Sequence, residues 1–160
     1  MEPSVPLSGP AQPAFDTACE LLGRILAATS GLSSEQLDAA PWDDSSTLFI
    51  LAPPAISATE WNFVEVLAGQ KVDRSRQAEF DSRAGSVDDP HRLLSERLAG
   101  AKAAIESALA GLSDDAWDGP HYHMFMDKNL SGNELVVRAL AHTAEHVGHA
   151  EMTRQWLDAQ

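Results

Sequence analysis

Residues 131–156 read Ser131-Gly-Asn-Glu134-Leu-Val-Val-Arg-Ala-Leu-Ala-His142-Thr-Ala-Glu145-His146-Val-Gly148-His149-Ala-Glu151-Met-Thr-Arg154-Gln-Trp156. Ser131 with Glu134 is a capping-box pair and no proline follows, so the stretch predicts one long helix reaching about residue 158. Only Gly148 interrupts its helix propensity, at about 1 kcal/mol relative to alanine, and its missing side chain would let a neighbour approach closely. At roughly 100° per residue, His142, His146 and His149 fall on one face, which continues through Leu135, Ala139, Thr153 and Trp156. The expectation is a helix whose imidazoles point inward within an apolar stripe. An i, i+4 histidine pair can turn two ring nitrogens to one divalent cation. His142 and His149 are separated by roughly 10 Å of rise, so the pair expected to ligate is His142 and His146, with His149 lining the pocket. The competing fate is that of an ordinary core histidine, hydrogen bonded to a main-chain carbonyl or a carboxylate.

Three more long helices are predicted upstream. Phe15, Ala18, Leu21, Leu22, Ile25 and Leu26 recur at three and four residues, predicting a helix over 14–29 that Gly31 ends. Ser33 with Gln36 opens a short extra helix. The second long helix is predicted over 48–67, closed by Gly69, with a kink or restart at Pro53-Pro54 where two amide donors are missing. Asp89-Pro90 starts the third, which runs to about residue 112 on Leu93, Leu94, Leu98, Ala101, Ile105, Leu109 and Leu112. Residues 71–88 lack periodicity and read as a surface crossing able to supply a pocket rim, and residues 113–130 read as an aromatic loop packed over one bundle end. No convincing strand is apparent. The fold class is all-α, an antiparallel four-helix bundle with a short extra helix between the first and second helices.

With 24 acidic and 11 basic residues in 160, the net charge of −13 opposes binding to nucleic acid or to an anionic bilayer. One domain over 14–160 is expected, preceded by a flexible or extended tail over 1–13 that carries four prolines but no secretory signature. No membrane-spanning run is present, and the acidity suits a cytoplasmic protein. The single cysteine, Cys19, falls among apolar helical positions and reads as a core residue.

At His142-x3-His146-x-Gly148-His149, followed by Arg154, the chain resembles the DinB-like superfamily, in particular the branch called the mycothiol-dependent maleylpyruvate isomerase metal-binding domain. The resemblance extends over most of residues 14–157. It implies a four-helix bundle, often a homodimer, that holds a divalent metal such as zinc or nickel through a pair spaced like His142 and His146 plus a histidine from the second helix. It also implies a low-molecular-weight thiol as cofactor for transferase or isomerase chemistry on a small molecule. Here the second helix has no histidine: the ligand position falls near Pro54, Ala55 or Ile56. Glu60 could substitute, His121 or His123 could fold over from the loop, or metal binding could have been lost. Trp61, Glu145, His149 and Arg154 are the remaining expected pocket residues, with Glu145 or Glu151 able to orient an imidazole and Arg154 equally suited to a helix-end role. Two functions follow: a metal-dependent thiol transferase or isomerase with a histidine-lined pocket between the second and fourth helices, or a non-catalytic ligand-binding or interaction protein that has lost the family's metal.

Overall fold

In the computed structural model, which describes Leu7 and residues 9–160, the first long helix, α1, spans Ala11–Thr29. It begins three residues before the expected boundary, with Pro13 in the first turn, where a missing amide donor removes no helical hydrogen bond. Most of the proline-rich segment, residues 1–6 and 8, lies outside the described residues. Gly31, at φ +72°, turns the chain out of α1. The short helix α2, Ser34–Leu37, opens on a complete capping box: Ser33 Oγ accepts from Gln36 N at 3.2 Å, and Gln36 Oε1 accepts from Ser33 N at 2.9 Å.

The second long helix, α3, spans Leu48–Glu60 and runs through Pro53 and Pro54 without the expected break. Each proline costs about 3 kcal/mol in a helix interior, whereas each large apolar side chain fully buried contributes roughly 1.5–3 kcal/mol. Leu48, Phe49, Leu51, Ala52, Ala55 and Ile56 are all buried, so packing outweighs the lost donors. The irregularity falls about two turns later, where the helix continues as a π-helix over Trp61–Leu67 before Gly69, at φ +69°, ends it.

The crossing after Gly69 is more ordered than its sequence suggests. It holds a short helix, α4, Arg76–Asp81, and a 3-10 turn, Ala84–Ser86, whose amides at Ala84 and Gly85 donate to the Asp38 carboxylate at 2.8 and 2.9 Å. Next comes α5, Pro90–Ala110, capped by Asp89 accepting from Arg92 N at 2.9 Å. The expected loop at 113–130 is instead a turn of helix, α6, Asp115–Asp118, and a hairpin: β1, Pro120–His123, pairs antiparallel with β2, Lys128–Ser131, with Pro120 opposite Ser131 and His123 opposite Lys128. The last helix, α7, spans Gly132–Asp158, and Ser131 Oγ accepts from Glu134 N at 3.2 Å.

The four long helices form a four-helix bundle in which α7 packs between α1 and α3, while α5 closes the opposite side against the same two. One apolar cluster fills the end built from Leu22, Ile25, Phe49, Ile56, Leu94 and Val147. A second, around Phe63, Ile105, Trp117, Leu130 and Leu135, fills the other. Leu140 packs against both. In the seam between α3 and α7 the buried hydroxyls of Thr59 and Thr143 meet at 2.7 Å. The buried face of α7 is Leu135, Val136, Ala139, Thr143, Val147, Ala150, Thr153 and Leu157, so the expected inward orientation of the histidines is corrected: His142 and His149 are exposed and His146 is only half-buried. Among the described residues, no helix is long and apolar enough to cross a membrane.

Candidate functional site

Beside the buried stripe of α7 lies an open cleft of about 660 Å³. Its floor is Pro54, Ala58, Trp61 and Asn62 from α3 and the π-helix; one wall is Arg138, His142, Glu145 and His146, successive turns of α7. The hairpin contributes His123, Phe125 and Met126, and the crossing before and within α4 contributes Arg74, Arg76 and Phe80. Trp61 is held at the centre of an aromatic cluster, its ring 5.3 Å from His123 edge-on and 5.2 Å from Phe125. The π-turn puts Trp61 and Asn62 side by side on the cleft, and Asn62 Nδ2 donates to Ala58 O at 2.8 Å, leaving its carbonyl oxygen as an acceptor.

His142 and His146 aim their Nε2 atoms at one another, 3.3 Å apart, with ring centroids separated by 4.6 Å. For a tetrahedral ion with nitrogen ligands at 2.0–2.1 Å, adjacent ligand atoms are about 3.3 Å apart. The pair therefore has the separation that two corners of such an ion require. Nδ1 of His146 is buried with no hydrogen-bond partner, an uncommon state for a polar atom. Burial, followed by the neighbouring His142 and His149 rings, pushes its pKa down to about 4, so the ring is neutral at pH 7 with one nitrogen lone pair available. Glu145, largely exposed, stands 3.7 Å from His142 Nδ1, too far for a hydrogen bond.

The remaining expected site residues divide sharply. Glu60 is not beside the histidines: it pairs with Arg97, which also donates to Ser57 Oγ at 3.0 Å, and it opens on a separate polar cleft. A buried carboxylate is held by the nearest cation, and Arg97 on α5 provides one. Arg154 is not in the pocket either. It donates to the carbonyls of Ala28 and Ser30 at 3.2 and 2.7 Å and to Asp158 at 2.8 Å, closing the end of α1. His149 is exposed, 6.5 Å from the His146 ring centroid, and does not line the cleft. Glu151 pairs with Arg24. His121 has both ring nitrogens against carbonyls, Val66 O at 3.1 Å and Ala116 O at 2.6 Å, which pins the hairpin to the π-helix. His123 alone of the loop pair turns into the cleft, where burial depresses its pKa.

The third metal donor remains the gap. Pro54 and Ala58, the α3 residues on the cleft floor, carry no donor group, and among the described residues no group of three or more His, Cys, Asp or Glu side chains is placed to hold an ion. Sequence reading missed Asn62, Phe125, Arg74, Arg76 and Phe80, which reach the cleft through the π-turn, the hairpin and α4. Arg138 was missed as well, although its place one turn before His142 on the same helix is the signal that could have found it.

The family model for mycothiol-S-transferase matches residues 19–159. The chain belongs to the mycothiol-S-transferase family. Among solved structures it is similar to YfiT from Bacillus subtilis, described as a probable metal-dependent hydrolase with an unusual four-helix bundle topology, at a TM-score of 0.68 and 16% identity over 97% of this chain and 92% of that one. A conserved protein from Enterococcus faecalis superposes with a TM-score of 0.71 at 13% identity, covering 96% of this chain and 99% of its own. At these identities the likeness carries the fold, and it agrees with the DinB-like resemblance read from the last helix. No curated protein matches.

Proposed function

We propose that the protein is a thiol-dependent transferase or isomerase that works on a small molecule in the cleft between α3 and α7, with His142 and His146 holding a divalent metal. The observation that carries this reading is the convergence of the two Nε2 atoms at 3.3 Å on an open cleft, in a chain whose family is mycothiol-S-transferase. The probable metal dependence described for YfiT supports it further. A divalent cation bound there would favour the thiolate of a coordinated thiol at neutral pH. The chain's own residues supply the rest: the neutral His146 imidazole and its neighbour His142 as ligands, with Trp61 and Phe125 excluding water from one side. Two protein ligands instead of the usual three predict modest metal affinity.

The floor residues Pro54 and Ala58 favour a second reading, a ligand-binding protein on the same cleft without the family's metal. The test uses protein purified without a histidine tag, analysed for bound metal and then chelated and titrated with zinc and with nickel. The first reading expects one ion per chain, abolished in His146→Ala. It also expects a melting temperature that rises by roughly 5–10 °C at a hundredfold excess over Kd, since that excess contributes about 2.7 kcal/mol. Mycothiol consumption by the loaded protein should vanish in the same variant. No bound ion, together with a melting temperature indifferent to both metals, rejects the metal and leaves the second reading.

A further inference from the structure

We propose that the cleft selects an organic carboxylate, and that Arg76 is the residue that reads its acid group. This rests on the cleft being the substrate site. In a chain of net charge −13, three of the eight arginines, Arg74, Arg76 and Arg138, line this one cleft against a single carboxylate, Glu145. Glu79 and Glu134, just outside the lining, offset Arg74 and Arg138, so the cation left to draw an anion into the cleft is Arg76.

The three cations are not equivalent. Arg74 is closed by Glu79 in a largely buried fork, with Nη2 at 3.0 Å from Oε2. Arg138 gives its Nε to Glu134 at 2.9 Å. Arg76 makes no hydrogen bond or ion pair among the described residues. Its guanidinium instead lies 5.3 Å from the Phe125 ring centroid and 5.9 Å from that of Phe80. The two rings engage the cation without using a guanidinium N–H in a hydrogen bond, so the fork is unspent while its rotamer freedom is already limited. A planar carboxylate is the complement of that fork. The same phenylalanines, with Trp61, supply an apolar surface beside it, so the ligand is an acid with an apolar body.

The probes are 3-phenylpropanoate and 3-phenylpropanamide, which share a shape and differ in charge. Binding to the full-length protein is followed by calorimetry and by protein NMR at low and moderate salt. Wild type should bind the acid about tenfold more tightly than the amide, the difference one charge-assisted fork commonly makes, and the preference should shrink as salt rises. In Arg76→Gln the preference should fall to within about twofold, Arg76→Lys should recover only part of it, and Arg92→Gln, an exposed arginine on α5, should retain it in full. Equal binding of acid and amide by wild type, no binding of either, or an undiminished preference in Arg76→Gln each overturns the proposal. Zinc titration of the same proteins separates the two readings. Wild type that binds zinc but shows no acid preference sinks the Arg76 proposal alone, and wild type that keeps the preference but binds no zinc sinks only the metal.

Discussion

Thr143→Val, replacing a buried hydroxyl in the bundle with a methyl of the same shape, should destabilise the protein although it makes the core more apolar. Thr59 Oγ lies 2.8 Å from Ala55 O, Thr143 Oγ lies 2.9 Å from Ala139 O, and the two hydroxyls are 2.7 Å apart. Two hydroxyls have two protons for these three contacts, so one donates to its own helix and the other donates across the seam. A methyl carbon cannot sit where the Thr143 oxygen does: contacts to carbon relax at about 3.5–4.0 Å, so α3 and α7 must part by roughly 0.8 Å or more, or a side chain must leave its rotamer. Overpacking of this kind costs about 1–3 kcal/mol and the lost hydrogen bond about another 1 kcal/mol. The sum, roughly 2–4 kcal/mol, corresponds to a fall in melting temperature of roughly 5–15 °C for a chain of this size. Thr143→Ser keeps the oxygen and removes one methyl, costing about 1 kcal/mol. Urea unfolding of the three proteins should rank them Thr, Ser, Val. A valine variant as stable as wild type, or more so, would refute the reasoning by showing that apolar burial, not the hydroxyl pair, sets the spacing of α3 and α7.

Other consequences can be measured alongside. The folded pKa of His146, about 4, lies below the unfolded value near 6.5, so metal-free protein has this contribution in full above pH 6.5 and loses it as pH falls toward 4. Denaturant titrations in chelator at pH 7 and 4.5 should show a smaller drop for His146→Gln than for wild type; identical drops would mean that the ring titrates normally. Glu60→Gln should cost roughly 1–2 kcal/mol, because Arg97 keeps its charge and loses its partner, yet leave zinc affinity unchanged; a loss of zinc binding would return Glu60 to the metal site. A Cβ on Gly132 would lie 2.3 Å from Ala116 O and 2.9 Å from Trp117 Cα, so Gly132→Ala should destabilise by more than about 2 kcal/mol. At Gly148 a Cβ meets nothing within 4 Å, so Gly148→Ala should stabilise by about 0.5–1 kcal/mol, and thermal melts of the pair must move in opposite directions.

The bundle was legible because its signals are local and redundant: a cap at Ser131, Asp89 or Ser33, a glycine at 31 or 69, and apolar spacing between. The facing of α7 was not. The stripe through His142, His146 and Trp156 and the stripe through Thr143, Val147 and Leu157 differ by one residue, about 100° of rotation, and share Leu135, Ala139 and Thr153. Which one is buried is set by the faces of α1 and α3 packed against it, and no single helix carries that information. The Pro53-Pro54 pair misled in the opposite way, since a local penalty yielded to burial contributed by three other helices. The hairpin escaped notice because its strands are only four residues each and end in His123 and Lys128 rather than in a recognised turn dipeptide. The histidine pair itself needed only the i, i+4 rule, whereas Arg76 and Phe125 became cleft residues only once the crossing and the hairpin were folded over it.

The widened turn at Trp61–Leu67 governs what lies beyond it. A π-segment takes up one residue more than an ordinary helix of the same rise, and everything downstream is rotated by about 100° relative to a regular helix. Val66, whose carbonyl receives the His121 ring, and Gln70, whose amide reaches back to Val64 O, sit where they do because of that extra residue. Loss of one residue there would restore regular pitch, detach the hairpin from its anchor and strip the cleft of its roof, so relatives with and without this insertion should differ in what they admit even where their histidines are identical.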